Sequence, residues 1–316
     1  MSATRPEFEK TSAALNSVAA AVFLTSLKVA VGIWSGSMGI LAEAAHSALD
    51  FLAAVVTYFA VRIAGRPADS GHTYGHGKIE NFSALIETLL LLVTCVWIIK
   101  ESVLRLTGRG PHVEASVWAF GVLAISIAVD FTRSRMLQRA AIKHRSQALE
   151  ADALHFSTDV WSSAVVILGL IGVRVAAAVP SLQFLEKADA VAALIVAGIV
   201  VVIGLRLGFR SIQALLDAAP AEAVDKIKTA VETVEGVHNC HAVRVRRSGP
   251  TYFVDLHVLI KGTQSLEAVH QLTEKIEQKV QAILPEADTT VHPEPWTPAA
   301  PTPIAEGRQS SIDPPP

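Results

Sequence analysis

Apolar positions gather into six long runs along the chain, at roughly 13–33, 38–62, 82–104, 115–136, 149–175 and 188–206. A hydrocarbon core ~30 Å thick is crossed by ~20 mostly apolar helical residues, so each run predicts a transmembrane helix. The second and fifth are the least uniform, because histidines and aspartates interrupt them. Small residues are frequent in all six, which suits close helix packing in lipid, where apolarity alone cannot hold helices together. Near residue 218 the pattern changes. PAEAVDKIKTAVETVEG has the period of an amphipathic helix ending at Gly236. VHNCHAVRVRRS and TYFVDLHVLIKG read as strands joined by a tight turn at Gly249-Pro250. SLEAVHQLTEKIEQKVQAIL predicts a second amphipathic helix, and DTTVHPEP a final short strand. The expected fold is a membrane α-helical domain of six transmembrane helices, then a small two-layer α+β domain of order αββαβ. Residues 1–12 form a polar N-terminal segment, 13–217 the membrane domain, 218–296 the soluble domain, and the Pro-rich 297–316 a disordered tail.

Composition agrees with this division. Of 316 residues, 51% are hydrophobic and 18% charged, too apolar for an ordinary soluble chain. A formal net charge of −2 gives no reason to expect a nucleic acid partner; the expected surroundings are a lipid bilayer. The N-terminus lacks the basic region, short apolar core and cleavage site of a secretory signal, so the first run is expected to stay in the mature protein. Cys95 lies in an apolar run and Cys240 in a polar region, so no disulfide framework is expected; Cys240 is a candidate soft metal ligand. An even number of spans puts both termini on one side. Twelve Lys/Arg fall there: Arg5, Lys10, Arg62, Arg66, Lys78, Arg133, Arg135, Arg139, Lys143, Arg145, Arg206 and Arg210. The opposite side has five, Lys100, Arg105, Arg109, Arg174 and Lys187, so the termini are expected to be cytoplasmic.

The candidate chemistry lies in the two interrupted runs. LAEAAHSALDF places His46 and Asp50 at i, i+4, one turn apart on one helix face. LEADALHFSTDVWSS repeats the device with His155 and Asp159. At 1.5 Å rise per residue the first pair lies ~15 Å from the outer end of its span, and the second ~12 Å from the inner end of an oppositely directed one. Both fall near the middle of the membrane and could meet. Two imidazoles and two carboxylates in a tetrahedral arrangement suit zinc; an all-oxygen set would suit manganese or magnesium better. Two ionised Asp and two neutral His are neutralised by a dication, which offsets the cost of charge in lipid. Four protein ligands leave no open position for an activated water, unlike a hydrolytic zinc centre. Because His must lose its proton to ligate and Asp must be ionised, protons compete with metal at such a site. The other polar residues of the spans, Lys28, Glu43, Glu87 and Asp130, read as bundle-interior pairs or snorkelling groups.

Between the second and third runs, RPADSGHTYGHGKIENFSAL crowds Asp69, His72 and His76 among glycines. A loop can bend round an ion, but the same residues suit a solvated turn equally well. The soluble domain holds His238, Cys240, His241, His257, His270, His292 and Glu294 on different elements. Spacing alone does not separate a metal site there from surface histidines.

SGSMGILAEAAHSALD, HTYGHGKIE and EADALHFSTDV resemble the signatures of the cation diffusion facilitator family, in particular its bacterial zinc and iron efflux pumps. The likeness runs from about residue 13 to 296. It implies a six-helix membrane domain, a cytoplasmic metallochaperone-like domain, and a homodimer in the bacterial inner membrane exchanging a divalent cation for protons. The resemblance places the transport site on His46, Asp50, His155 and Asp159, and a loop site on Asp69, His72 and His76. It places a cytoplasmic site at the dimer interface on His241, His257, His292 and Glu294, with His270 reaching across from the partner. Some bacterial relatives have Asp at position 46, and relatives often have Asp at position 294. The two-His, two-Asp set implies zinc as substrate and as structural or regulatory ion, with cadmium, iron, cobalt or manganese as alternatives. Two rival readings differ in class. An intramembrane metalloenzyme would want His-Glu-x-x-His or an open ligand position, and neither is present. A transport-deficient metal sensor or scaffold would have no need of intact mid-membrane ligands.

Overall fold

A computed structural model describes residues 5–107, 117–178, 185–220 and 222–296. The expected tail, 297–316, the first residues of the N-terminal segment and Arg109 lie outside the described residues. The chain divides after Leu215 into two compact units.

Among its described residues the first unit is six long helices: α1 (Arg5–Ser35), α2 (Met38–Ala64), α3 (Lys78–Leu106), α4 (Val117–His144), α5 (Gln147–Ala178) and α6 (Leu185–Leu215). Each apolar run maps onto one of them. Helix α1 is described from Arg5, so the polar stretch expected to precede the first span continues its helix. The charges there are absorbed by other helices: the Lys10 ammonium bonds Glu80 Oε1 at 2.8 Å, and Glu9 meets Lys143 and His144. Over their described residues, four helices are long and apolar enough to cross a membrane, within Pro6–Ser35, Glu43–Ala64, Lys78–Leu106 and Ala190–Leu215. Helices α4 and α5 are not among these four; they carry the buried Asp130 and Arg133, and the buried Asp152 and His155.

The unit is inverted relative to a soluble bundle. Bulky apolar side chains such as Phe23, Leu52, Trp97 and Ile199 face outward, while Ala14, Ala54, Ala84, Ser17 and Thr57 are buried. Small residues let helix axes approach where there is no hydrophobic drive to bring them together. At Gly32 a Cβ would stand 2.8 Å from Leu41 Cδ2, so α1 and α2 pack closely where they meet at their turn. That turn uses Gly36 at φ 68°, and the Ser37 hydroxyl caps α2 by accepting from the Ile40 N–H at 3.4 Å. Helix α1 packs chiefly on α2 and also on α4; α3 packs on α6 and α5; α5 lies between α4 and α6. Helices α2 and α5 touch over a shorter stretch.

The second unit contains α7 (Ala223–Glu232), β1 (Val237–Ser248), β2 (Thr251–Lys261), α8 (Leu266–Ile283) and β3 (Ala287–Trp296), the expected αββαβ order. The sheet order is β1-β2-β3, with β1 antiparallel and β3 parallel to β2. Gly249, at φ 61°, makes the β1–β2 turn. Strand β3 tolerates Pro293 and Pro295 because it is an edge strand. Along β2, Val254, Leu256, Val258 and Ile260 are buried, one face of a two-residue period. They pack on Ile227 and Val231 of α7 and on Leu272, Ile276 and Val280 of α8, spaced so that each helix presents one stripe. The opposite sheet face carries His257 and its neighbours.

Candidate metal centres

Helices α2 and α5 bring the two His-x-x-x-Asp pairs together. His155 Nε2 stands 3.1 Å from Asp50 Oδ1 and 3.7 Å from Asp159 Oδ2. His46 Nε2 stands 3.8 Å from Asp50 Oδ1 and 3.9 Å from Asp159 Oδ1. Four ligand atoms around a tetrahedral zinc ion at ~2.0–2.2 Å would be ~3.3–3.6 Å apart, so these separations bracket one ion. Asp50, His155 and Asp159 form a cluster with ligand atoms within 4.8 Å of one another, and His46 lies at its edge, 3.8 and 3.9 Å from the two carboxylates. His155 Nδ1 is buried without a hydrogen-bond partner among the described residues.

Several other polar groups of the bundle pair with one another. On one flank the Lys28 ammonium donates to Ser47 Oγ at 2.8 Å and Glu43 Oε2 at 3.2 Å, while Thr25 donates to the Ser47 carbonyl at 3.0 Å. This is the interior pairing expected for Lys28 and Glu43. Toward the other ends of α2 and α3, Thr57 donates to Glu87 at 2.8 Å. Sequence reasoning missed a further network. Arg133 Nε donates to Ser17 Oγ at 2.7 Å, Ser17 donates to Asp152 Oδ2 at 3.0 Å, and the Arg133 guanidinium lies 3.2 Å from the Phe156 ring centroid. Asp130 pairs with Arg133 at 3.8 Å. Asp152 was detectable in principle, because it lies at i−3 from His155 on the same face of α5. Arg133 and Ser17 gave no local signal.

The loop between α2 and α3 draws its three candidates together. Asp69 Oδ1 accepts from the Gly71 N–H at 2.9 Å and the His72 N–H at 2.7 Å. His72 Nδ1 and His76 Nε2 each approach the same carboxylate at 3.4 Å, on different oxygens. Gly75, at φ 73°, turns the chain so that His76 folds back. The His72 N–H bond, against the opposing effect of burial and with the Gly71 bond and His76 in support, holds the Asp69 carboxyl below its usual range. An ionised carboxylate between two imidazoles is a divalent-cation donor set.

On the open face of the sheet, strand register aligns His241, His257 and His292 in one row across β1, β2 and β3. Glu294 reaches into the row, with Oε1 2.8 Å from His257 Nδ1 and Oε2 3.3 Å from His241 Nε2. His292 lies farther out, 3.9 Å from Glu294. The His257 hydrogen bond, opposed by burial and aided by the charges of His241, His257 and His292, holds Glu294 below its usual range. His270 is not brought to this cluster within one chain: it sits on α8, 3.4 Å from Glu274, with its side chain 70% exposed. Cys240 is not beside the row either. It is fully buried in the core on the other face, and burial, reinforced by Glu232, pushes its thiol up to about 11. A buried thiol with so high a pKa is a packing group, not a ligand.

With this geometry in hand, the comparisons with known proteins are specific. The cation efflux transmembrane domain family matches residues 14–216, and the cytoplasmic domain of cation efflux proteins matches 219–296. The chain is 31% identical over 291 residues to the cation-efflux pump FieF of Pectobacterium atrosepticum, covering 90% of this chain and 92% of that one. It is 31% identical over 303 residues to FieF of Serratia proteamaculans, covering 94% and 95%. The metal-bound C-terminal domain of the CzcD transporter from Thermotoga maritima aligns at 32% identity over 25% of this chain and 94% of that domain, with a TM-score of 0.24. The fold and site define a metal-handling membrane protein. The chain belongs to the cation diffusion facilitator family: it is a membrane-embedded cation efflux transporter, not an enzyme, with a cytoplasmic domain of the dimer-forming type.

Proposed function

We propose that this chain is a zinc/proton antiporter of the bacterial inner membrane, working as a homodimer. Its six helices all span the bilayer and both termini are cytoplasmic. The observation that carries the reading is the meeting of two imidazoles and two carboxylates between α2 and α5, at separations of 3.1 to 3.9 Å. With the site open to the cytoplasm, Zn²⁺ displaces protons from His46 and His155 and binds the ionised Asp50 and Asp159. The loaded site is close to neutral, which suits its passage through the low-dielectric interior. On the outer side protons recapture the imidazoles and the cation leaves. Cadmium, iron, cobalt and manganese are the competing substrates, and the nitrogen-rich set favours zinc over manganese.

The loop site Asp69, His72 and His76 takes a cation at the membrane surface. The cytoplasmic site is built on His241, His257, His292 and Glu294, with His270 supplied by the partner subunit, so that metal there links two copies. The test is flux in reconstituted vesicles carrying an internal metal dye and a pH gradient, with the five metals side by side. Zinc uptake should be driven by the gradient and abolished in Asp50→Ala. Zinc binding with no flux in the wild type would instead identify a sensor or scaffold.

A further inference from the structure

The flank of the transport site that leads toward the α1–α2 turn holds a buried lysine. Lys28 is 5% exposed, deep for a lysine, and its ammonium has two side-chain partners, the Ser47 hydroxyl and the Glu43 carboxylate. Ser47 is adjacent to His46, and Glu43 is one turn before it on α2. The two ends of the pair sit in different surroundings: the Lys28 side chain is 6% exposed and that of Glu43 46%. The ammonium is enclosed by the bundle while its carboxylate partner lies at the bundle's surface, so the positive end of the pair is the one turned toward the helix interior. Ser47 lies one turn before Asp50 on the same face of α2, so the ammonium bonded to its hydroxyl stands beside the site. No other lysine is placed to do this among the described buried residues: Lys10 is matched by a Glu80 that is itself buried.

We propose that Lys28 is a built-in counter-cation of the transport site, which keeps the site's grip on a dication weak enough for release. With a cation bound, the ammonium stays with Glu43 and Ser47 and repels the ion. When the cation leaves, the two imidazoles take up protons and balance Asp50 and Asp159, so the ammonium no longer opposes a dication. Lys28 touches no metal ligand side chain. It is a positioning residue that sets affinity through charge.

This inference rests on the transport-site reading above, and the two fail in different ways. Zinc flux is measured in vesicles as a function of zinc concentration for the full-length wild type, Lys28→Met, Glu43→Gln and Asp159→Ala. Lys28→Met keeps the length and removes the charge. Its half-saturating zinc concentration should fall on the order of tenfold, from the repulsion of a nearby unit charge, and its maximal rate should fall because release slows. Glu43→Gln frees the ammonium and should raise half-saturation. Opposite signs are the signature, because loss of a merely structural pair would move both variants the same way. An unchanged or raised half-saturation in Lys28→Met overturns the proposal. If Lys28→Met does not fold, an unchanged or lowered value in Glu43→Gln overturns it alone. Wild-type flux in Asp159→Ala would overturn the site reading itself.

Discussion

Asp159→Asn is the sharpest perturbation of the site, since it changes charge and almost nothing else. The amide fills the same volume, and its contacts at 3.9 Å to His46 and 3.7 Å to His155 need not be disturbed. What is lost is one of two negative charges balancing a dication, so the loaded site keeps one uncompensated positive charge. At mid-membrane an uncompensated charge costs ~2.5–3.5 kcal/mol on an insertion scale. At ~1.4 kcal/mol per factor of ten, half-saturation for zinc should rise ~60- to 300-fold. Initial rates in dye-loaded vesicles over a wide zinc range measure this directly, with reconstituted amount and monodispersity as controls for folding. Asp159→Glu keeps the charge and should recover part of the loss. A half-saturation for Asp159→Asn within about threefold of wild type, ~0.7 kcal/mol, would refute the claim that this carboxylate neutralises a bound dication.

Asp69→Asn should remove one bound zinc per chain in an equilibrium-dialysis count, with the half-saturation of flux unmoved. The depressed Asp69 carboxyl also gives the loop a pH signature. Its stabilisation is present above the unfolded carboxyl's value and lost as pH falls through the lower folded one, so the loop should open only in acid, as read by proteolysis between residues 66 and 78. His257→Ala removes the middle imidazole of the three-strand row and should release metal from the soluble unit, counted by equilibrium dialysis, and weaken dimerisation in zinc, read by light scattering with and without chelator. Cys240, pushed up to about 11, stabilises its unit fully below the unfolded thiol's ~8.5, and that contribution is lost as pH rises toward the folded value. In a Cys95→Ala background, alkylation of Cys240 should therefore be negligible at neutral pH and appear only on unfolding.

The parts of this protein legible in its sequence were those written locally. A His and an Asp four residues apart state their shared face without any tertiary information, and depth along two antiparallel helices brought the pairs to one level. The soluble unit's element order was legible for the same reason, from the two-residue period of β2 and the 3.6-residue period of α8. What was not legible depends on distant partners. Ser17, Arg133 and Asp152 are 135 residues apart at their widest, and each alone looks like an isolated polar interruption. The alignment of His241, His257 and His292 follows from strand register, shifted by an irregularity between His241 and Arg244, which spacing cannot foretell. The extension of α1 back to Arg5 was not legible because hydropathy marks where lipid begins, not where a helix does.

The short meeting of α2 and α5 has a consequence for how the molecule holds together. Each of these helices has its broad packing elsewhere, α2 on α1 and α5 on α4 and α6, and the seam between them holds the proposed transport site. A cation bound there would be mortar as well as freight. A chain stripped of metal should exchange its backbone amides fastest along that seam, and the joint that must part for transport is the one the departing ion unfastens.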